Sequence, residues 1–179
     1  MPIEMFIDPD ADPRIDPPGE GDERATLAAF LRWQRGTLEL KCSGLDAADL
    51  ARRAVEPSSM SLLGLVRHLA DVERAWFKRT LASLDAPPRF RSAADPDGGF
   101  DSAVPDPKVV EEAWAAWREE VAFADEFVAN APDLNVTGIT RYQNTVSLRW
   151  VLVHMVEEYA RHNGHADLLR EHIDGAVGY

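Results

Sequence analysis

Four of the five histidines in this 179-residue chain fall close together near its end: His154, His162, His165 and His172, with Glu158 between the first two. Residues four apart on a helix present side chains about 5–6 Å apart on one face, a separation that suits two ligands of one metal ion. His154–Glu158 and Glu158–His162 both have this spacing, and each pair is separated by about 40° around a helix. Together the three span roughly 12 Å of helix axis, too far for one ion. Spacing therefore leaves the two pairs as rivals. With Glu158 as origin, Val151 and Leu169 lie about 20° away, Met155 about 60°, and Leu148 and Ala166 about 80°. A carboxylate on that apolar side is costly to bury unless its charge is compensated, and a metal compensates it.

The fifth histidine, His68, also borders an apolar stripe, with Val72 about 40°, Leu65 about 60° and Leu69 about 100° from it. A ligand from such a facing helix completes a His₂Glu set with an open coordination position, an arrangement found in catalytic zinc sites. Helix bundles build sites of this kind from facing helices. The plainer readings are a satisfied helix histidine for His68 and a surface hydrogen-bonded pair for Glu158 with His162. His165 lies near the same face and is expected to line the site without ligating, as is His154 if it is not the ligand. His172 suits the negative end of the helix dipole. Cys42 reads as a small buried filler, and the tryptophans read first as core.

The elements that must position these groups follow from periodicity. Residues 1–22 hold five prolines and five aspartates and read as an extended acidic arm. A helix is predicted over 23–41, with Leu27, Phe30, Leu31, Gln34 and Leu38 on one stripe. Gly44 stops it, and 46–53 offers two further turns. Pro57-Ser58-Ser59 supplies N-cap chemistry for a second long helix over 60–83, striped by Leu62, Leu65, Leu69, Val72 and Trp76. Residues 84–106 read as a long loop of the kind that tends to be functional or disordered. Pro107 opens a third helix to 130, placing Val110, Trp114, Trp117, Val121 and Phe127 inward. A polar connection over 131–144 leads to a fourth helix, 146–172, and a tail at 173–179. No strand alternation is evident. The expectation is an all-α four-helix bundle over 23–172.

Composition narrows the functions. The formal net charge is −12, and the arginines are scattered among carboxylates, so a phosphate backbone or an anionic membrane surface is not an expected partner. No apolar run approaches the length of a membrane span, and no basic segment precedes an apolar one at the start. One cysteine forms no internal disulfide and suits a reducing cytoplasm. G-x-S-x-G, P-loop and G-x-G-x-x-G motifs are lacking, and the Asp-rich stretches at 8–16 and 95–101 lack EF-hand spacing.

Two stretches carry a family resemblance. Leu148–Glu171, containing His154, Glu158 and His162-Asn163-Gly164-His165, resembles the last helix of the DinB-like superfamily. Gly64–Phe77, containing His68, resembles its second helix. Many members pair a histidine on helix two with H-x-x-x-H and a short polar-Gly-polar run on the last helix. Here Glu158 occupies the first position of that pair, as in the mycothiol-dependent maleylpyruvate isomerase branch. The resemblance thus implies His68, Glu158 and His162 as ligands, with His154, His165 and Trp76 lining the site. It implies a divalent metal, Zn²⁺ foremost with Ni²⁺ and Fe²⁺ as alternatives, and a low-molecular-weight thiol such as mycothiol or bacillithiol as cosubstrate.

A metal with an open position can bind a cofactor thiol, lower its pKa and present a thiolate to an electrophile. The expected function is a metal-dependent thiol S-transferase joining that thiol to an electrophilic small molecule. The alternative is a non-catalytic metal-binding stress-response or dimerisation module, and relatives suggest a homodimer in either case. An anionic substrate would need a local basic pocket, for which Arg141, Arg149 and Arg161 are the candidates.

Overall fold

The computed structural model describes residues 12–177. Most of them lie in four long helical stretches: α1 (Glu23–Cys42), α3 (Leu62–Glu73) continued by a π-helical segment (Arg74–Leu81), α5 (Pro107–Asn130) and α6 (Leu148–Asp174). Short helices α2 (Ala47–Ala51) and α4 (Gly98–Asp101) sit in connections. Strands β1 (Thr137–Ile139) and β2 (Thr145–Ser147) form an antiparallel pair between α5 and α6. Of the acidic arm expected over 1–22, residues 1–11 fall outside the described range, and 12–22 carry neither helix nor strand.

Side-chain caps set where the long helices begin. Asp22 accepts from the Ala25 amide at 2.8 Å, Asp106 from Lys108 at 2.8 Å ahead of Pro107, and Ser147 from Trp150 at 3.2 Å. Each satisfies an amide that the helix leaves unpaired. The cap of α3 is Ser61, which accepts from the Gly64 amide at 3.1 Å, so the helix starts beyond the Pro57-Ser58-Ser59 run that the sequence favours. Helix α6 ends at Gly175, whose φ of 78° provides the left-handed C-terminal turn.

Helix α1 packs along α6, α3 along α5, and α3 also meets α6. Leu31, Leu38, Leu65, Leu69, Phe77, Leu152, Met155 and Tyr159 are buried between them. Four expectations are corrected. Phe30 is exposed, and the inward residue one turn on from Leu31 is Arg35. On α5 the central face is Ala113, Ala116, Trp117, Glu120, Ala124 and Val128, while Val110, Trp114, Val121 and Phe127 flank it half-buried. The 84–106 loop contains α4, and the connection expected to be free of strands contains a hairpin.

Burial of Arg35 and Glu73 is made tolerable by mutual pairing. Glu73 accepts from Arg35 Nε at 2.7 Å and Nη2 at 2.8 Å, and from the Tyr159 hydroxyl at 2.8 Å. Trp117 Nε1 donates to that hydroxyl at 2.8 Å, and Arg35 Nη1 reaches Asp125 at 2.8 Å. One charged network therefore ties α1, α3, α5 and α6 together. A second gathers Arg74, Lys78 and Arg89 around buried Glu120.

Two glycines bring outlying segments against α3 and its continuation. A Cβ at Gly64 would stand 2.6 Å from Phe100 Cδ1, so its absence lets α4 lie on α3. A Cβ at Gly138 would fall 2.1 Å from the Thr80 carbonyl oxygen. No side chain fits there, and the hairpin consequently rests directly on the π-helical segment.

Candidate metal centre and adjoining cavity

His68 comes from α3, and Glu158 and His162 come from α6. One ligand atom from each lies within 4.8 Å of the others. The Glu158 Oε2 to His162 Nε2 separation is 3.5 Å. The His68 and His162 rings meet edge to face with centroids 4.7 Å apart. Donors on a tetrahedral Zn²⁺ with bonds of ~2.0–2.1 Å lie roughly 3.3 Å apart, so the 158/162 pair already has the required separation. The donor set, two imidazoles and one carboxylate, fits a divalent ion that keeps an open position.

Electrostatics prepare the same atoms. Burial, reinforced by the neighbouring His162, lowers the pKa of His68 to about 4, against the opposing pull of Glu158. His68 is thus neutral at pH 7, as a ligand must be. Glu158 is held below the usual carboxylate range by its hydrogen bond to His162, which outweighs desolvation, with further help from the charges of His154, His162 and His68. It remains ionised.

The far side of His162 is also engaged: its Nδ1 lies 3.3 Å from His165 Nδ1. One of these nitrogens must donate and the other accept. When His162 Nε2 faces the ion, its Nδ1–H donates and His165 accepts as a neutral ring. Desolvation, then the proximity of His162 and Arg161, lowers the His165 pKa in the sense this requires. Phe100 stacks on His68 with centroids 5.6 Å apart, fixing the remaining ring.

His154 stands elsewhere. It stacks on Trp150 at 5.0 Å, meets Trp76 edge-on at 4.8 Å, and its Nε2 lies 3.4 Å from Glu158 Oε1. It thereby forms the boundary between the three-residue cluster and a cavity of about 530 Å³ lined by Trp76, Trp150, Arg79, Arg91, Arg141 and Tyr142 among others. Glu158 and His154 border that cavity and also a second opening of about 630 Å³ that contains His68 and His162.

A family model for mycothiol S-transferases matches residues 26–175. The chain belongs to the mycothiol S-transferase family. This family is part of the DinB-like superfamily. Comparison with curated proteins and with solved structures gives no match.

In this mycothiol S-transferase family member, the fold assembles His68, Glu158 and His162 and sets His154, His165 and Trp76 around them. Of the arginines anticipated for a basic pocket, only Arg141 lines the cavity. Arg149 is committed to Glu23 at 2.6 Å and Asn135 at 2.9 Å, while Arg161 borders the second opening and pairs with Glu157 at 3.4 Å. Arg79, Arg91, Tyr142, Trp150 and Phe100 were not singled out from the sequence. Arg79 could have been, because it lies one turn beyond Trp76 on the same helical face. Cys42 is buried, and burial raises its thiol to about 12, which removes it as a nucleophile. His172 Nδ1 contacts the Leu168 carbonyl near the end of α6.

The depressed pKa of His68 has a consequence for stability. In the unfolded chain His68 takes up a proton near its ordinary 6.5, whereas in the fold it does so only at about 4. Its contribution is therefore complete above pH 6.5 and is lost as pH falls towards 4, a change of up to ~3 kcal/mol. Urea unfolding of metal-free protein at pH 7 and pH 4.5 is expected to show a larger acid loss in wild type than in His68→Leu. Equal losses would contradict this protonation behaviour.

Proposed function

We propose that this protein is a metal-dependent mycothiol S-transferase, built as a four-helix bundle, that joins the thiol of mycothiol to an electrophilic small molecule. One observation carries the reading: His68, Glu158 and His162 present ligand atoms within 4.8 Å of one another, and Glu158 also borders a cavity of about 530 Å³, large enough for a substrate. Membership of the mycothiol S-transferase family supports the thiol, and the nitrogen and oxygen donor set supports Zn²⁺ as the ion.

A divalent ion with an open position supplies Lewis acidity that lowers the pKa of a thiol. The residues of the chain do the rest. His68 and His162 would hold the ion without adding charge, and ionised Glu158 would lower the charge of the site by one unit relative to an all-histidine set. His165 fixes the tautomer and ring orientation of His162. Trp76, Trp150 and His154 wall the electrophile's side with aromatic surface.

The test is conjugation of mycothiol to a chromogenic electrophile by protein carrying its native metal. Turnover that requires mycothiol, and that is lost in a folded His162→Ala variant, is the expected result. Tight metal binding with no thiol-dependent turnover would overturn the reading. Exchanging Glu158→His adds one positive charge to the site, so the acid limb of the pH–rate profile is expected to move to lower pH. An unchanged profile in a variant that still binds metal would show that Glu158 does not tune the thiol.

A further inference from the structure

Among the described residues most arginines have a carboxylate partner: Arg35 pairs with Glu73, Arg74 and Arg89 with Glu120, and Arg149 with Glu23. The cavity beside the metal centre departs from this pattern. Arg79 from the π-helical segment, Arg91 from the loop after it and Arg141 from the hairpin turn all line one space of about 530 Å³, and none is within ion-pair reach of a carboxylate among the described residues. Arg141 donates to the Tyr142 hydroxyl beside it and lies over that ring, 4.6 Å from its centroid.

Asp71, whose charge favours protonated Arg79 from outside the cavity, is already engaged by the backbone amides of Arg89 at 2.6 Å and Phe90 at 3.1 Å. Within the cavity the acidic lining residue is Glu158, whose charge the metal centre uses. Burial, and then the positive charges of Arg91 and Arg141, work against the protonated form of Arg79. Three like charges gathered in one pocket of a chain with net charge −12 repel one another, and an anion relieves that repulsion.

Aromatic and aliphatic side chains make up much of the remaining lining, beside Thr80, Thr140, Asn144 and His154. Trp76 and Trp150 meet with centroids 5.3 Å apart, and Tyr142 stands on the hairpin that Gly138 allows to rest against Thr80. Guanidinium groups match carboxylate geometry, and aromatic surface suits a planar body.

We propose that this cavity is a binding site for flat organic acids, with Arg79, Arg91 and Arg141 receiving the carboxylate and Trp76 and Trp150 the planar body. As the place of the electrophile, it deepens and rests on the transferase reading, making that co-substrate an anion. As an anion site it stands apart from the chemistry.

The test is isothermal titration of metal-free protein, so that no ligand can bind through an ion. The probes are 2-naphthoate, its neutral analogue 2-naphthamide, and inorganic phosphate. Naphthoate is expected to bind at least ~10-fold more tightly than the amide, and Arg79→Gln with Arg141→Gln is expected to erase that preference while amide binding persists. Persisting amide binding also reports that the cavity remains folded, and the single variant Arg91→Gln provides a milder second reduction. Equal affinity for acid and amide in the wild type, or a preference that survives the double variant, would overturn the proposal. Phosphate binding as tightly as naphthoate would overturn the part assigned to the aromatic walls. A protein that selects naphthoate but conjugates no thiol refutes the transferase reading alone; an active transferase indifferent to the carboxylate refutes this inference alone.

Discussion

Replacing Glu73 by alanine is expected to destabilise the fold by ~3–5 kcal/mol, the range for removing one partner of a buried ion pair. Glu73 is fully buried and accepts three hydrogen bonds, two from Arg35 and one from Tyr159. Without it, the Arg35 guanidinium, itself 4% exposed, keeps only Asp125 at the rim. Tyr159 loses the acceptor that orients its hydroxyl towards Trp117. At roughly 2–4 °C per kcal/mol for a domain of this size, the melting temperature should fall by about 6–20 °C. Replacing both partners by apolar residues of similar volume, Arg35→Met with Glu73→Met, removes the charge that the single change strands, and should recover most of the loss. Thermal unfolding of the two singles and the double checks this. A Glu73→Ala melting temperature within 2–3 °C of wild type would show that the network carries no such share of the stability.

Replacing His162 by alanine is expected to abolish metal binding and to reduce thiol transfer by more than ~100-fold, beyond the 10–100-fold typical of losing an outer partner. His162 is the residue on which the site converges: it lies 3.5 Å from Glu158, 4.7 Å ring to ring from His68, and 3.3 Å from His165. The same change should remove the stabilisation that added metal gives, which is about 2.7 kcal/mol when the free ion is at a hundred times its Kd. His154→Ala distinguishes the two pairs that spacing alone leaves open. It is expected to retain metal and the thermal shift, because His154 is held between Trp76 and Trp150. Loss of metal in His154→Ala with retention in His162→Ala would reverse the assignment.

The parts of this molecule legible in its sequence are those with strong local chemistry. Pro107 marked the start of α5 because its missing N–H costs nothing at a helix N-terminus, and the structure adds Asp106 as the capping carboxylate. The i, i+4 spacing of Glu158 and His162 placed both on one face whatever the tertiary packing. The hairpin was not legible, because strands of three residues are too short to show alternation. Nor was the arginine cluster, since Arg79, Arg91 and Arg141 come from three segments that meet only once the hairpin lies on the π-helical turn. Arg35 and Glu73 left a readable trace: each lies four residues beyond a core leucine, Leu31 and Leu69, on the buried stripe of its helix. A charge on such a stripe signals a buried partner on a facing helix, and the two here are each other's. The ring stack of Phe100 on His68 depends on Gly64 giving way to α4, a contact that periodicity cannot anticipate.

The central claim is that His68, Glu158 and His162 hold one divalent ion, and elemental analysis of protein purified without a histidine tag tests it most directly. About one divalent ion, chiefly zinc, is expected per wild-type chain, with a near-complete loss in folded His68→Ala and His162→Ala variants. A wild-type content below about a tenth of an ion per chain after purification and incubation with Zn²⁺, or a full complement retained when both histidines are replaced, would contradict it.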